Sequence, residues 1–142
     1  MEVGLYPIKD KKWLSFLLEI RNDESTRSQL GNDSIFTLEE CEKWFDTLES
    51  TWYWIVDNTT SNYVGYVRTD GDTVGVDIHP DYRRMGYARA SYEKYLEDKN
   101  YASLEVFEDN FAKNLYEDIG FKQLDEFTMV RGRKYLKMVY NK

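Results

Sequence analysis

Val76-Asp-Ile-His-Pro-Asp-Tyr-Arg-Arg-Met-Gly-Tyr-Ala-Arg-Ala90 is the stretch on which the reading of this chain turns. The alternation of a strand ends at Ile78, and Pro80 has no N–H with which to continue a ladder. Arg83 to Ala88 then lead straight into helical spacing. A helix that starts this way points the unpaired N–H groups of its first turn outward, and its dipole adds partial positive charge there. Gly86 and Ala88 keep side chains out of the space an anion must enter, while Arg83 and Arg84 supply cationic donors. The chemistry suits a phosphate-bearing ligand. The ordinary alternative is a strand-loop-helix turn with a glycine near the helix start.

Outward from this stretch the hydrophobic period sorts the chain. Towards the N-terminus, 52–56 (WYWIV), 63–69 (YVGYVRT) and 73–78 (TVGVDI) alternate as strands, and Asp70-Gly71 is a hairpin signal between the last two. They predict an antiparallel meander. Before it, Thr37 with Glu40 forms a capping box ahead of a helix on which Leu38, Cys41, Trp44, Phe45 and Leu48 recur at helical spacing. The polar run from Arg21 to Ser34 predicts a loop with a helical turn. A helix near 10–20 has Trp13, Phe16, Leu17 and Ile20 on one face, and 3–7 (VGLYP) reads as a first strand. Towards the C-terminus, a helix from about Tyr87 to Asp98, a strand at 103–107 and a helix from about Asn110 to Ile119 call for a βαβ unit. Two strands split at Arg131-Gly132 close the chain. The fold class is α+β, or mixed α/β, with the meander feeding a βαβ core in one domain over 1–142.

Composition narrows the function classes. The 142 residues are 42% hydrophobic and 32% charged, with 8 Gly and 2 Pro, which excludes collagen-like and wholly disordered chains. With 19 basic against 26 acidic residues the net charge is -7, so nucleic acid is not an expected partner. A single Cys and a single His leave no zinc pattern, and no metal is expected. No apolar run approaches the ~18 residues of a membrane helix, and the N-terminal residues lack the apolar core of a leader. The expectation is a soluble, cytoplasmic protein without membrane attachment, monomeric or homodimeric.

Arg83-x-x-Gly86-x-Ala88 after a strand, with Asp81-Tyr82 leading in, resembles the [RQ]-x-x-G-x-[GA] pyrophosphate loop of the GNAT superfamily, the acyl-CoA-dependent N-acyltransferases. Downstream, Leu104-Glu-Val106, Asn110, Ala112, Leu115-Tyr116-Glu117 and Ile119-Gly120-Phe121 resemble the family's next strand and helix, N..A..LYE..GF. The likeness covers residues 74–121 and the element order on both sides suits it, so a GNAT-like fold is expected for the whole chain. Two departures stand out. Ala88 replaces the commoner glycine, and Asn110 lies one residue nearer Tyr116 than the family asparagine, which leaves Asn110 or Asp109 to face the cofactor.

The resemblance implies acetyl-CoA as cosubstrate and direct attack by a primary amine. The strand residues Val76, Asp77 and Ile78 would offer backbone groups to the pantetheine arm, and the strand Leu104 to Phe107 would splay away to leave a slot. Arg83, with the amides of Arg84, Met85, Gly86, Tyr87 and Ala88, would hold the pyrophosphate. Tyr116 would protonate the departing thiolate; a core tyrosine is the plain alternative among 12 of them. Asp72 and Asp77 are the candidates for the general base. His79 before Pro80 reads as a backbone element, and Cys41 as buried filler. Arg21, Asn22, Asp23 and Arg27 are candidates for binding the acceptor, a small-molecule or peptide amine such as an amino-sugar nucleotide or a protein N-terminus. The rival class is a non-catalytic acyl-CoA-binding module of the same fold.

Overall fold

The computed structural model describes residues 1–142 and builds them on one seven-stranded sheet of order β1-β2-β3-β4-β5-β7-β6. The strands β1 (Val3–Pro7), β2 (Tyr53–Asp57), β3 (Asn62–Asp70) and β4 (Thr73–Ile78) pair antiparallel, as the period of two predicts. The helix α4 (Tyr87–Leu96) then crosses to β5 (Tyr101–Phe107), which is parallel to β4. After α5 (Lys113–Ile119) come β6 (Lys122–Val130) and β7 (Arg133–Asn141), with β7 inserted between β5 and β6. No helix is long and apolar enough to cross a membrane.

Alternation along the strands divides the core between the two sheet faces. Ile55, Val67, Val74 and Ile78 join Leu104 and Val106 against Tyr92, Tyr95 and Leu96 of α4. On the opposite face Trp54 and Tyr66 pack with Leu14, Leu17 and Ile20 of α1 (Leu14–Asn22) and with Cys41 of α3 (Leu38–Asp46). Burying a large apolar side chain stabilises by about 1.5–3 kcal/mol, so each face commits its helices firmly. The capping box is present: Thr37 Oγ1 accepts from Glu40 N at 3.1 Å and Glu40 Oε1 accepts from Thr37 N at 2.9 Å. The polar run holds one short helix, α2 (Glu24–Arg27).

Two helix starts and one buried face differ from the sequence reading. The first helix starts at Leu14, because the buried stripe is Leu14, Leu17 and Ile20; Trp13 precedes the first turn and lies 48% exposed at the rim. Leu38 is likewise exposed at the first position of α3, with Cys41 the residue that helix buries. The helix expected from Asn110 starts at Lys113, since Asn110 Oδ1 accepts from Ala112 N at 2.9 Å and keeps the chain in a turn.

The feature that matters most for function is how little β4 and β5 pair. Their only register partners are Thr73 and Ser103, supported by Ser103 N–H donating to Asp72 C=O at 2.9 Å. Beyond that point the strands separate and leave a V in the middle of the sheet. His79 N–H donates to Val64 C=O, so the antiparallel alternation turns the N–H groups of Val76 and Ile78 away from β3 and into the V.

Candidate functional site

At the open end of the V the chain passes through a 3-10 turn, Pro80–Tyr82, into the loop before α4. Arg84 takes a left-handed conformation with φ 61° and Gly86 another with φ 89°. Only Gly86 among the two is free of the strain this places on a side chain. A Cβ at Gly86 would meet nothing nearer than Met1 Cε at 3.9 Å, so the loop surface there is open. The amide N–H groups of Arg84, Met85, Gly86, Tyr87, Ala88 and Arg89 donate to no backbone or side-chain acceptor in the protein. α4 has neither a side-chain cap nor an acid in its first turn. A row of free amides at a bare helix N-terminus is an anion cradle by its own geometry, and the expectation for this loop rests on those backbone groups.

The side chains of the loop do other work than the sequence suggested. Arg83 was expected to offer its cation to the ligand; instead its Nε donates to Ile78 C=O at 3.1 Å, Nη2 to Thr26 Oγ1 at 2.8 Å and Nη1 to Ser25 Oγ. It clamps the loop to α2. The Tyr87 hydroxyl donates to the buried carboxylate of Asp57 and anchors the first turn of α4. That bond, with the Thr59 amide, holds the Asp57 carboxyl below its ordinary pKa. Arg84 and Met85 are exposed, and Arg84 has no carboxylate partner, so it remains a free cation beside the cradle.

Tyr116 sits on α5 on the α4 side of the sheet, its ring edge-on to Tyr92 at 5.3 Å and to Phe121 at 6.3 Å. Burial raises its pKa, and the neighbouring Tyr92 hydroxyl offsets part of that rise. The phenol is therefore protonated at neutral pH. Asn110 caps the turn before α5, and Asp109 is bound by Arg133, whose Nη2 donates to it at 2.6 Å. That ion pair holds the Asp109 carboxyl below its usual pKa and ties it to β7, away from a cofactor-facing role.

The two carboxylates named as candidates for the base sit in different settings. Asp72 lies exposed in the β3–β4 turn, at the closed end of the V, opposite the end where the cradle stands. Asp77 is buried and gives both oxygens to Arg68, to Nε at 2.7 Å and to Nη2 at 3.3 Å. Burial works against the Arg68 charge, yet Asp77 more than offsets it and raises the guanidinium pKa. Gly75 makes room for the pair, since a Cβ there would come within 2.4 Å of the guanidinium carbon of Arg68. Both carboxylate oxygens are thereby engaged within the sheet. The hydroxyl of Tyr66, the cross-strand partner of Asp77, is buried without a hydrogen bond.

Sequence reading did not single out Glu105 of β5. Thr73 and Ser103 direct their hydroxyls to the same face, 3.2 Å apart, so alternation places Glu105 on the Asp77 and Arg68 face of the splayed strand. It is exposed between buried Leu104 and Val106, and no cation or donor within the protein engages it. The signal in the sequence was a lone acid inside an apolar strand.

Three of the four candidate acceptor residues, Asn22, Asp23 and Arg27, organise a loop. Asn22 brackets Phe36, donating to its C=O at 2.8 Å and accepting from its N–H at 3.0 Å. Arg27 donates to Asn22 C=O at 2.8 Å and to Asp33 C=O at 3.2 Å, and Asp23 caps α2. From the β6–β7 hairpin, Arg131 and Arg133 reach the carbonyls of Leu30 and Ser28 at 2.7 and 2.6 Å. His79 stacks on Phe16 at 5.5 Å and accepts from Asp81 N–H, a backbone role as expected. Cys41 is buried, and burial raises its thiol pKa.

The sequence of residues 24–142 matches the family model described as an acetyltransferase (GNAT) domain. No curated protein matches the sequence. Among solved structures, an acetyltransferase from Thermus thermophilus superposes with a TM-score of 0.75 at 18% identity, over 100% of this chain and 98% of that one. A structure of AAC(6')-Ib in complex with ribostamycin and coenzyme A gives 0.74 at 18% identity, over 100% and 94%. A spermidine/spermine N-acetyltransferase from Vibrio cholerae, in complex with manganese ions, gives 0.74 at 18% identity, over 99% and 92%. At these identities the likeness is one of fold.

Proposed function

Because the chain belongs to the GNAT acetyltransferase family, we propose that it moves an acetyl group from acetyl-CoA to a primary amine by direct attack. The observation that carries this reading is the V between β4 and β5 opening onto the free amides of Arg84 to Arg89. Bound acetyl-CoA supplies an activated thioester. The cradle amides would take its pyrophosphate, and the N–H groups of Val76 and Ile78 are free for the arm and the thioester carbonyl.

Glu105 serves as the base and Tyr116 as the acid. The acceptor nitrogen bonds the acyl carbon as the carbon–sulfur bond opens; Glu105 takes the proton from nitrogen, directly or through water, and Tyr116 gives one to sulfur. Tyr116 packs on the α4 side of the sheet, and alternation puts Glu105 on the other face of β5. Asp77 is a positioning residue here, holding Arg68 over Gly75.

Acetyl-CoA should raise the melting temperature. A ligand that binds only the native state adds RT ln(1 + [L]/Kd), about 2.7 kcal/mol at a hundredfold excess over Kd. A melting curve unmoved by millimolar acetyl-CoA overturns the proposal. The base is tested by Glu105→Gln, which should lower kcat by about 10² at neutral pH while leaving the acetyl-CoA shift intact. Full activity in that variant removes Glu105 from the mechanism.

A further inference from the structure

Between α1 and α3 runs a groove of about 530 Å³, walled by Leu17, Leu18, Phe36, Trp44 and Trp52. Trp44 and Trp52 meet edge to face at 4.6 Å. Continuing the Tyr53–Val67 register puts Trp52 opposite Arg68, and Arg68 lies over Gly75 at the edge of the V. The groove therefore leads along the sheet towards the proposed reaction centre.

The charges that face the groove are unequal. Glu40 accepts from the Thr37 amide through one oxygen and keeps its charge, and Lys43 is paired with Glu39 at 3.3 Å. Arg21 is different. Its Nη1 and Nη2 donate to the carbonyls of Ser34 at 3.2 Å and Asn32 at 2.7 Å, and no carboxylate lies within ion-pair distance. A guanidinium has five N–H donors, so the rest are free for a ligand. The groove presents in Arg21 a cation without an ion-pair partner beside apolar and aromatic walls, with the Glu40 carboxylate also lining it.

We propose that this groove receives an acceptor amine carrying a ring-sized apolar body and a carboxylate. The carboxylate is met by the free N–H groups of Arg21, whose guanidinium stacks on Phe36 at 5.1 Å, and the body lies against Trp44 and Trp52. This rests on the acetyltransferase reading for turnover, though not for binding.

The test compares para-(aminomethyl)benzoate with para-(aminomethyl)benzamide, which differ in charge and little in shape, and adds spermidine. Binding is measured by calorimetry without acetyl-CoA, and turnover by thiol release with it. The benzoate should bind the wild-type protein about tenfold or more tightly than the benzamide, as charge-assisted hydrogen bonds do. Arg21→Gln should erase that preference and Arg21→Lys keep most of it. Equal affinity for the pair, tighter binding of spermidine, or a loss in Arg21→Gln that falls equally on both ligands overturns the groove assignment. The wild-type comparison stands even if a variant misfolds. Thiol release with spermidine and no preference in binding sinks the groove and leaves the transferase reading intact. A charge preference in binding, with no thiol release from any amine, does the reverse.

Discussion

Tyr116→Phe is expected to keep acetyl-CoA binding and to lose turnover by about 10²–10⁴, the range of a general acid. The substitution preserves the ring that packs edge-on to Tyr92 and Phe121. It deletes only the hydroxyl, which burial holds in its protonated form. Binding and rate must therefore separate. Acetyl-CoA affinity and thiol release measured on the same protein distinguish three cases. An acid shows a rate loss alone, a packing tyrosine shows lost stability or no effect, and a non-catalytic module has no rate to lose. Unchanged turnover takes Tyr116 out of the mechanism.

Gly86→Glu should abolish acetyl-CoA binding in a protein that still folds. The position has φ 89°, so any side chain there is strained by roughly 1–2 kcal/mol. An acid at a helix N-terminus recovers about 0.3–1 kcal/mol of that through the dipole. Space is not limiting, because the nearest atom to a new Cβ is Met1 Cε at 3.9 Å. The unliganded melting temperature should thus fall by only a few degrees, about 2–4 °C per kcal/mol at this chain length. The new carboxylate stands among the free amides and competes for them, and it repels a pyrophosphate. The acetyl-CoA shift should vanish. Gly86→Ala carries the same strain without the charge and should retain most of the shift. A normal shift in Gly86→Glu would mean that the phosphates sit elsewhere.

What could be read in the chain beforehand was local. The capping box is two side chains three residues apart, the Asp70-Gly71 hairpin is a two-residue signal, and both appear as written. The anion cradle was legible for the same reason: it consists of backbone groups exposed by one strand-to-helix turn. Arg83 shows where that logic stops. Its residue type suggested a ligand cation, but its partners Ser25 and Thr26 lie almost sixty positions away. Asp77 and Arg68 are only nine apart, yet their pairing depends on β3–β4 register and on the absence of a side chain at Gly75. Asn22, Asp23 and Arg27 look like acceptor ligands because polar loop residues look alike until their partners are known.

Sequence alone determined the element types, the meander, the βαβ crossover, the family and the loop that would face an anion, because periodicity, turn chemistry and a contiguous motif each act over a few residues. Tertiary structure decided which carboxylate is free. It placed β7 between β5 and β6, let β4 and β5 part after Thr73–Ser103, neutralised Asp77 with Arg68 and left Glu105 unpaired at the gap. The reason is physical: a carboxylate's role is set by desolvation and by the charges within a few ångströms, and those neighbours come from strands and helices far apart in the chain.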